Sequence, residues 1–290
     1  MVPLFKIIDI RSVDLNEIMK VKGGVYMLGA IIGDIVGSRF EWRNHKSKDF
    51  ELFTNKCSPT DDSVMTLAIA LALLKSKADY SDLSQKSIEC MQIVGQNYPH
   101  CGYGSTFINW IFCENPEPYY SYGNGAAMRI SPVGFVANSL EEVKELSKKV
   151  TEVSHNHPEG IKGAEATAVA IFMARNGSTK EEIKEYINQN YYPMDFTLDE
   201  IRDSYQFDAS CQGSVPQALM AFFESNDFED AIRNAISIGG DSDTIAAICG
   251  GIAEAYYGIP DSIRNEALTY LDENLLMILD RFEKNVISES

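Results

Sequence analysis

The chain has 290 residues, with 25 Lys plus Arg against 42 Asp plus Glu, a formal net charge of −17. Its 45% hydrophobic and 23% charged residues exclude a disordered, collagen-like or low-complexity chain, and its length is enough to bury a sizeable core without staples. The acidic balance argues against nucleic acid: Lys and Arg are scattered, and the densest cluster, Lys46 with Lys48, is tiny.

Residues 1–26 begin the chain with charges and no signal-peptide core. Lys22-Gly23-Gly24-Val25 can be encoded by a purine-rich ribosome-binding sequence shortly before Met27. One expectation is therefore that residues 1–26 are an upstream extension, with the native start at Met27. The other is a short genuine N-terminal arm. From Met27 the pattern is helical almost throughout. Gly29, Gly33 and Gly37 lie four apart, so on a helix they share one face and permit close backbone approach. Residues 64–77 are apolar nearly all round and predict a buried helix. Further helices are predicted over 83–97, 140–153, 163–175, 179–189, 216–224, 227–238, 244–257 and 261–285. Strand alternation is nearly absent. Residues 98–134, rich in Gly, Pro and Tyr, read as one long irregular segment of the kind that carries function. No linker divides the chain, which predicts one all-α domain over residues 27–290.

The six cysteines, Cys57, Cys90, Cys101, Cys113, Cys211 and Cys249, form no CxxC pair and read as reduced thiols of a cytosolic protein. The longest apolar stretches, 25–33 and 64–74, fall short of the roughly 18 residues of a membrane span. No membrane partner is expected.

Two acidic helix starts carry the strongest chemistry. Thr60-Asp61-Asp62-Ser63 opens one apolar helix, and Gly239-Gly240-Asp241-Ser242-Asp243-Thr244 opens another. Capping and the helix dipole explain such residues in general. Here both helices are almost wholly apolar, which places their ends deep in the protein. Adjacent carboxylates there repel and are costly to desolvate unless a cation joins them. Asp61, Asp62, Asp241 and Asp243 carry four negative charges, which two divalent ions balance, and Thr60 and Thr244 add hydroxyl oxygens. The all-oxygen donor set suits Mg²⁺, Mn²⁺ or Ca²⁺ rather than zinc.

The same residues resemble a known family. Gly29–Glu41 (GAIIGDIVGSRFE), TDDS at 60–63, GYGSTFINW at 102–110, YGNGAAMRISPVG at 122–134, SHNHPEGIKGAEATA at 154–168 and GGDSDTIAAICGGIAEAYYG at 239–258 are similar to the motifs of the ADP-ribosylglycohydrolases, in family order. That family includes the dinitrogenase-reductase-activating glycohydrolase and the vertebrate ADP-ribosyl-acceptor hydrolases. The resemblance implies a compact orthogonal helical bundle with a dinuclear Mg²⁺ or Mn²⁺ centre at helix N-termini. It implies Thr60, Asp61 and Asp62 as ligands of one ion, with Asp241, Asp243 and Thr244 supplying the rest and Asp243 bridging. Glu41 falls at a catalytic or metal-gating glutamate, and Asp61, Asp62 and Asp243 join it as catalytic residues.

Gly123-Asn124-Gly125 is a turn entering a helix, and beside the resemblance it is expected to cradle diphosphate and sugar together with Met128. Arg129 is either a phosphate contact or an internal ion-pair partner. His155 is expected on the substrate side of the cleft, and Tyr103 at its rim. Tyr119, Tyr120 and Tyr122 are either adenine-stacking or packing residues. Residues 97–101 offer no aspartate where some members carry a catalytic base, which tells against arginine-linked ADP-ribose as substrate. The implied function is metal-dependent hydrolysis of the glycosidic bond of an ADP-ribosylated protein or small conjugate, by a monomer. The alternatives are a hydrolase of another N- or O-riboside, a non-catalytic ADP-ribose reader and a structural, crystallin-like protein.

Overall fold

The structure, a computed structural model, describes residues 27–289. The expectation for residues 1–26 lies outside the described residues. In chain order the helices are α1 (Gly29–Gly37), α2 (Asp61–Lys75), α3 (Leu83–Asn97), α4 (Ser105–Phe112), α5 (Gly125–Met128), α6 (Ser131–Val136), α7 (Leu140–Thr151) and α8 (Pro158–Arg175). They continue with α9 (Lys180–Asn190), α10 (Leu198–Arg202), α11 (Cys211–Phe223), α12 (Phe228–Ser237), α13 (Ser242–Tyr257), α14 (Asp261–Leu268) and α15 (Glu273–Glu289). Among the described residues there is no strand, only an isolated bridge between Gly123 and Ser210. The all-α expectation holds.

The centre of the bundle is α13, which packs on α1, α8, α11 and α12. Its side chains are small and apolar through Ile245, Ala246, Ala247 and Ile248, and all are buried. The shared face of Gly29, Gly33 and Gly37 lies on α13, main chain against main chain. A Cβ at Gly33 would collide with the Ala246 carbonyl, and one at Gly37 would lie 2.5 Å from Asp243 Cα. The glycine spacing thus lets α1 and α13 cross with their backbones in contact. On α2, Val64, Met65, Leu67, Ile69, Leu71 and Leu73 are buried. Each contributes about 1.5–3 kcal/mol by leaving water, and together they hold the N-terminus of α2 inside.

At the far end of α13, Glu254 accepts the Leu28 and Gly29 backbone N–H groups at 3.3 and 2.6 Å, capping α1 from another helix. Among the described residues no helix is long and apolar enough to cross a membrane. All six cysteines are free.

Several predicted segments differ from the observed ones, among them α8, which starts at Pro158 rather than at residue 163. Residues 98–134 are not one irregular stretch, because α4, α5 and α6 interrupt them, each buried on one side by Phe107, Trp110, Ala126, Ala127, Val133 and Phe135. Residues 261–285 are two helices, broken between Thr269 and Asp272, where the Asp272 carboxylate accepts the Asn274 and Leu275 N–H groups and restarts the chain as α15. The helix expected from Pro216 starts earlier, at Cys211, where the Ser210 hydroxyl caps the Gly213 N–H and leaves Pro216 inside.

Candidate metal centre and substrate cavity

Asp34 on α1 organises the start of α2. Its Oδ1 accepts the Thr60 hydroxyl at 2.6 Å. Its Oδ2 accepts the Thr60 and Ser63 backbone N–H groups at 2.8 and 3.0 Å, and the Ser63 hydroxyl as well. Thr60 is the N-cap, accepting from the Asp62 N–H at 3.3 Å. The orphan N–H groups of α2 are therefore met by the Cys101 carbonyl, Thr60 and Asp34, in the order Asp61, Asp62, Ser63. Asp61 and Asp62 are released from capping, and Asp62 Oδ1 is buried with no hydrogen-bond partner.

The start of α13 is built differently but to the same end. Gly239 and Gly240 have φ of 68° and 73°, left-handed values that disfavour any side chain. A Cβ on Gly240 would also run into the Tyr205 ring. The Lys46 ammonium donates to the Tyr205 and Ile238 carbonyls, both at 2.6 Å, and pins this turn; the small basic cluster is thus an internal tie. Asp241 occupies the N-cap position but makes no capping bond. It instead accepts Asn124 Nδ2 at 2.7 Å. Asp243 Oδ1 accepts the Thr244 N–H at 3.0 Å, and the Thr244 hydroxyl lies 3.3 Å from Asp62 Oδ2. Capping accounts for Thr60 but not for the acids at either helix start.

The two starts converge. Oxygens of Asp34, Asp62 and Asp243 lie within 4.8 Å of one another, and so do oxygens of Glu41, Asp241 and Asp243. Asp243 belongs to both groups. Burial is the largest cause pushing every one of these carboxyls above its ordinary value; neighbouring carboxylates of the cluster add to it at Glu41, Asp61, Asp62 and Asp243, while hydrogen bonds from Thr60 and Ser63 oppose it at Asp34. Asp61 is pushed up to about 8 by burial and then by Asp34, and Glu41 to about 7 by burial, Asp241 and Asp34. Asp34 and Asp241 are raised, and Asp62 and Asp243 lie well above the ordinary range. Buried acids that repel one another, with one oxygen orphaned and no nitrogen or sulfur among the donors, fit a hard cation.

A cavity of about 360 Å³ opens onto this cluster. Its walls include Asp61, Asp62, Asp241, Asp243 and Thr244, with Gly123, Asn124, Gly125, Met128, Arg129 and His155 on the opposite side. The cradle residues and the acids, expected separately, thus share one space. His155 Nε2 faces the Gly123–Gly125 turn, where a Cβ on Gly125 would sit 3.2 Å from it. Arg129 is buried, and among the described residues it has no carboxylate within ion-pair distance, so it is not an internal ion-pair partner. Tyr119 lines the cavity, whereas Tyr103 and Tyr122 do not. The Tyr103 ring packs on Phe107, 5.9 Å between centroids, and the exposed Tyr122 ring meets His157 at 5.3 Å. Thr60 is also absent from the wall, its hydroxyl being engaged by Asp34.

Three residues of the site were not singled out in the sequence. Asp34 is one, although an acid between Gly33 and Gly37 on an apolar helix was a legible signal. Trp42 and Phe207 are the others. They stack at 5.0 Å and 17° over the mouth of the cavity although 77% and 44% exposed. They lie on separate loops, and their pairing has no sequence signature.

Fold and site together describe an all-α protein with a buried oxygen-donor cluster at the floor of a cleft. The model of the ADP-ribosylglycohydrolase family matches residues 18–286, and the chain belongs to that family, whose members are hydrolases. Among curated relatives it is 25% identical to ADP-ribosylhydrolase ARH3 of Gallus gallus, over 80% of this chain and 84% of the relative. It is 26% identical to ADP-ribosylarginine hydrolase Tri1 of Pseudomonas putida, over 80% and 70%. A solved structure, an ADP-ribosylglycohydrolase-related protein complex, shares the fold with a TM-score of 0.64 and 23% identity, covering 89% of this chain and 95% of that one.

Proposed function

We propose that the protein hydrolyses the glycosidic bond at the anomeric carbon of an ADP-ribosyl conjugate, with two Mg²⁺ or Mn²⁺ ions held by the acid cluster. The observation that carries the reading is the position of Asp243 in both acidic groups, the arrangement of a bridging ligand. Asp62 and Asp243, with Asp34 behind them, form one binding position, and Glu41, Asp241 and Asp243 the other. Asp61 stands beside them on the cavity wall. Two such ions, when bound, polarise sugar hydroxyls and a nearby water.

The chain's own residues do the remainder. Asn124 donates to Asp241 and to the Ser214 hydroxyl, at 2.7 and 2.9 Å, so the Gly123–Gly125 turn is tied directly to the acid cluster. That tie fixes the distance between a sugar held over the acids and a diphosphate held by the turn and by His155. Glu41 sits beside Asp241 at the mouth. It can take a proton from the attacking water, a role that typically contributes about 10²–10⁴-fold. Burial, Asp241 and Asp34 push Glu41 up to about 7, and a divalent ion held beside it would lower that value and favour the ionised form this role needs. The remaining carboxylates offset the positive charge that develops on the ribose.

The relatives' names cover ADP-ribosylarginine and ADP-ribosyl acceptors more broadly, so the leaving group is left to experiment. Purified protein with Mg²⁺ or Mn²⁺ is offered arginine-, serine- and acetyl-linked ADP-ribose, and released ADP-ribose is measured. Metal-dependent release from at least one conjugate, lost in Asp243→Ala, is expected. Tight ADP-ribose binding with no turnover on any conjugate would establish a reader instead.

A further inference from the structure

His155 is 4% exposed and faces the cavity through Nε2. Its other nitrogen, Nδ1, has two neighbours. The Ser154 hydroxyl lies 2.9 Å from it and the Arg129 guanidinium Nη2 3.3 Å from it. Arg129 Nη2 also donates to Ser154 Oγ at 2.7 Å. A guanidinium has donors only. With its oxygen occupied by Arg129, Ser154 has its proton free to give to Nδ1. A proton on Nδ1 would face the Arg129 N–H at 3.3 Å, donor against donor. The three side chains are therefore consistent in one state: Nδ1 accepts and Nε2 carries the proton.

Arg129 is itself 1% exposed. Its Nε and Nη1 are without hydrogen-bond partners among the described residues. Its guanidinium carbon stands 5.2 Å from the Phe107 ring centre. Such a group is costly to bury, so its retention beside His155 calls for a reason other than stability.

We propose that Arg129 is a positioning residue that locks His155 as the neutral Nε2–H tautomer, making it a fixed donor to an anionic oxygen of the ligand over the whole working pH range. The inference rests on the proposed function only for the identity of that anion, the diphosphate of an ADP-ribosyl group. Burial and then the Arg129 charge hold the imidazole well below its ordinary value. The groups facing it are Arg129, Ser154 and Tyr119, whose ring is 5.5 Å away. Tyr119 is pushed up to about 12 by burial and stays neutral. Asp61 and Cys211 act on Arg129. Of the facing groups, Arg129 alone is charged near neutrality.

Long-range ¹H–¹⁵N correlation of the wild-type imidazole, without ligand, reads the tautomer directly. A protonated Nε2 that does not titrate between about pH 5 and pH 8 is expected. A protonated Nδ1, or a midpoint in the ordinary histidine range, overturns the proposal whatever the enzyme's substrate. In Arg129→Met, Ser154 Oγ is free to accept, so a protonated Nδ1 is expected to appear, with ADP-ribose binding by calorimetry weakened about tenfold. Arg129→Met with an unchanged tautomer overturns the lock. An intact lock in wild type with no ADP-ribose binding leaves the tautomer assignment standing and refutes the proposed function.

Discussion

Asp62 and Thr244 are 182 residues apart in the chain, yet the Thr244 hydroxyl lies 3.3 Å from Asp62 Oδ2. The contact joins the N-termini of α2 and α13 and leaves Asp62 Oδ1 facing the acid cluster unpartnered.

Divalent ions are expected to stabilise the fold, with Asp243 carrying most of the effect. At a hundredfold excess over its dissociation constant an ion adds about 2.7 kcal/mol. For a chain of this size that is a rise in Tm of about 4 °C. Scanning calorimetry with and without Mg²⁺ is expected to show the rise in wild type and its loss in Asp243→Asn. An undiminished rise in the variant would place the ions elsewhere.

In chelator, stability falls as pH rises. The carboxyls of the cluster have ordinary values of 3.8 and 4.5 and are raised in the folded protein, Glu41 to about 7 and Asp61 to about 8. Between those limits the folded state binds more protons than the unfolded state, so unfolding free energy decreases with pH. Urea melts in EDTA should give a lower midpoint at pH 8 than at pH 5, and Mg²⁺ should recover it at pH 8. A midpoint that climbs with pH in EDTA contradicts the electrostatics of the cluster.

Glu254 contributes to the same slope from a different place. Burial pushes it up to about 8 against the backbone N–H groups of Leu28 and Gly29, which pull the other way. It lies 11 residues after Asp243 on α13, about 16 Å along the helix. Glu254→Gln is expected to flatten part of the decline up to pH 8 while leaving Mg²⁺ affinity within about twofold. Loss of Mg²⁺ binding in this variant would show that the two ends of α13 are coupled.

Gly33→Ala tests the helix crossing. Its Cβ would strike the Ala246 carbonyl and the Ala247 nitrogen, which are backbone and cannot rotate away. Overpacking of this kind costs about 1–3 kcal/mol, more where backbone must move. Mg²⁺ affinity should drop with it, because Asp34 is the next residue on α1. A variant of wild-type Tm would mean that α1 and α13 are less tightly apposed.

Most helices were legible because burial in this fold follows short-range pattern: α3 has the predicted bounds, and α7 ends within two residues of them. The two acidic starts were legible because acids on apolar helices conflict with their surroundings. Asp34 stands out in the sequence as an acid on an apolar helix, but its task, accepting four donors from Thr60 and Ser63, exists only once α2 is folded against it. Tyr103 and Tyr122 were expected at the ligand, but ring direction depends on Phe107 and His157, which no spacing reveals. The role of Arg129 stayed open for the same reason, since an absent counter-charge is visible only in three dimensions.

The glycine seam between α1 and α13 makes the cluster a calliper whose jaws are polypeptide. With no side chain in between, the spacing of the two backbones has no rotamer to relax, and only the Asp34 and Asp243 carboxylates themselves can adjust the gap. Magnesium draws oxygens to about 2.0–2.1 Å and calcium holds them at about 2.3–2.6 Å. A shift in ion preference in this chain therefore has to come from the carboxylates, because the backbones that carry them are already in contact.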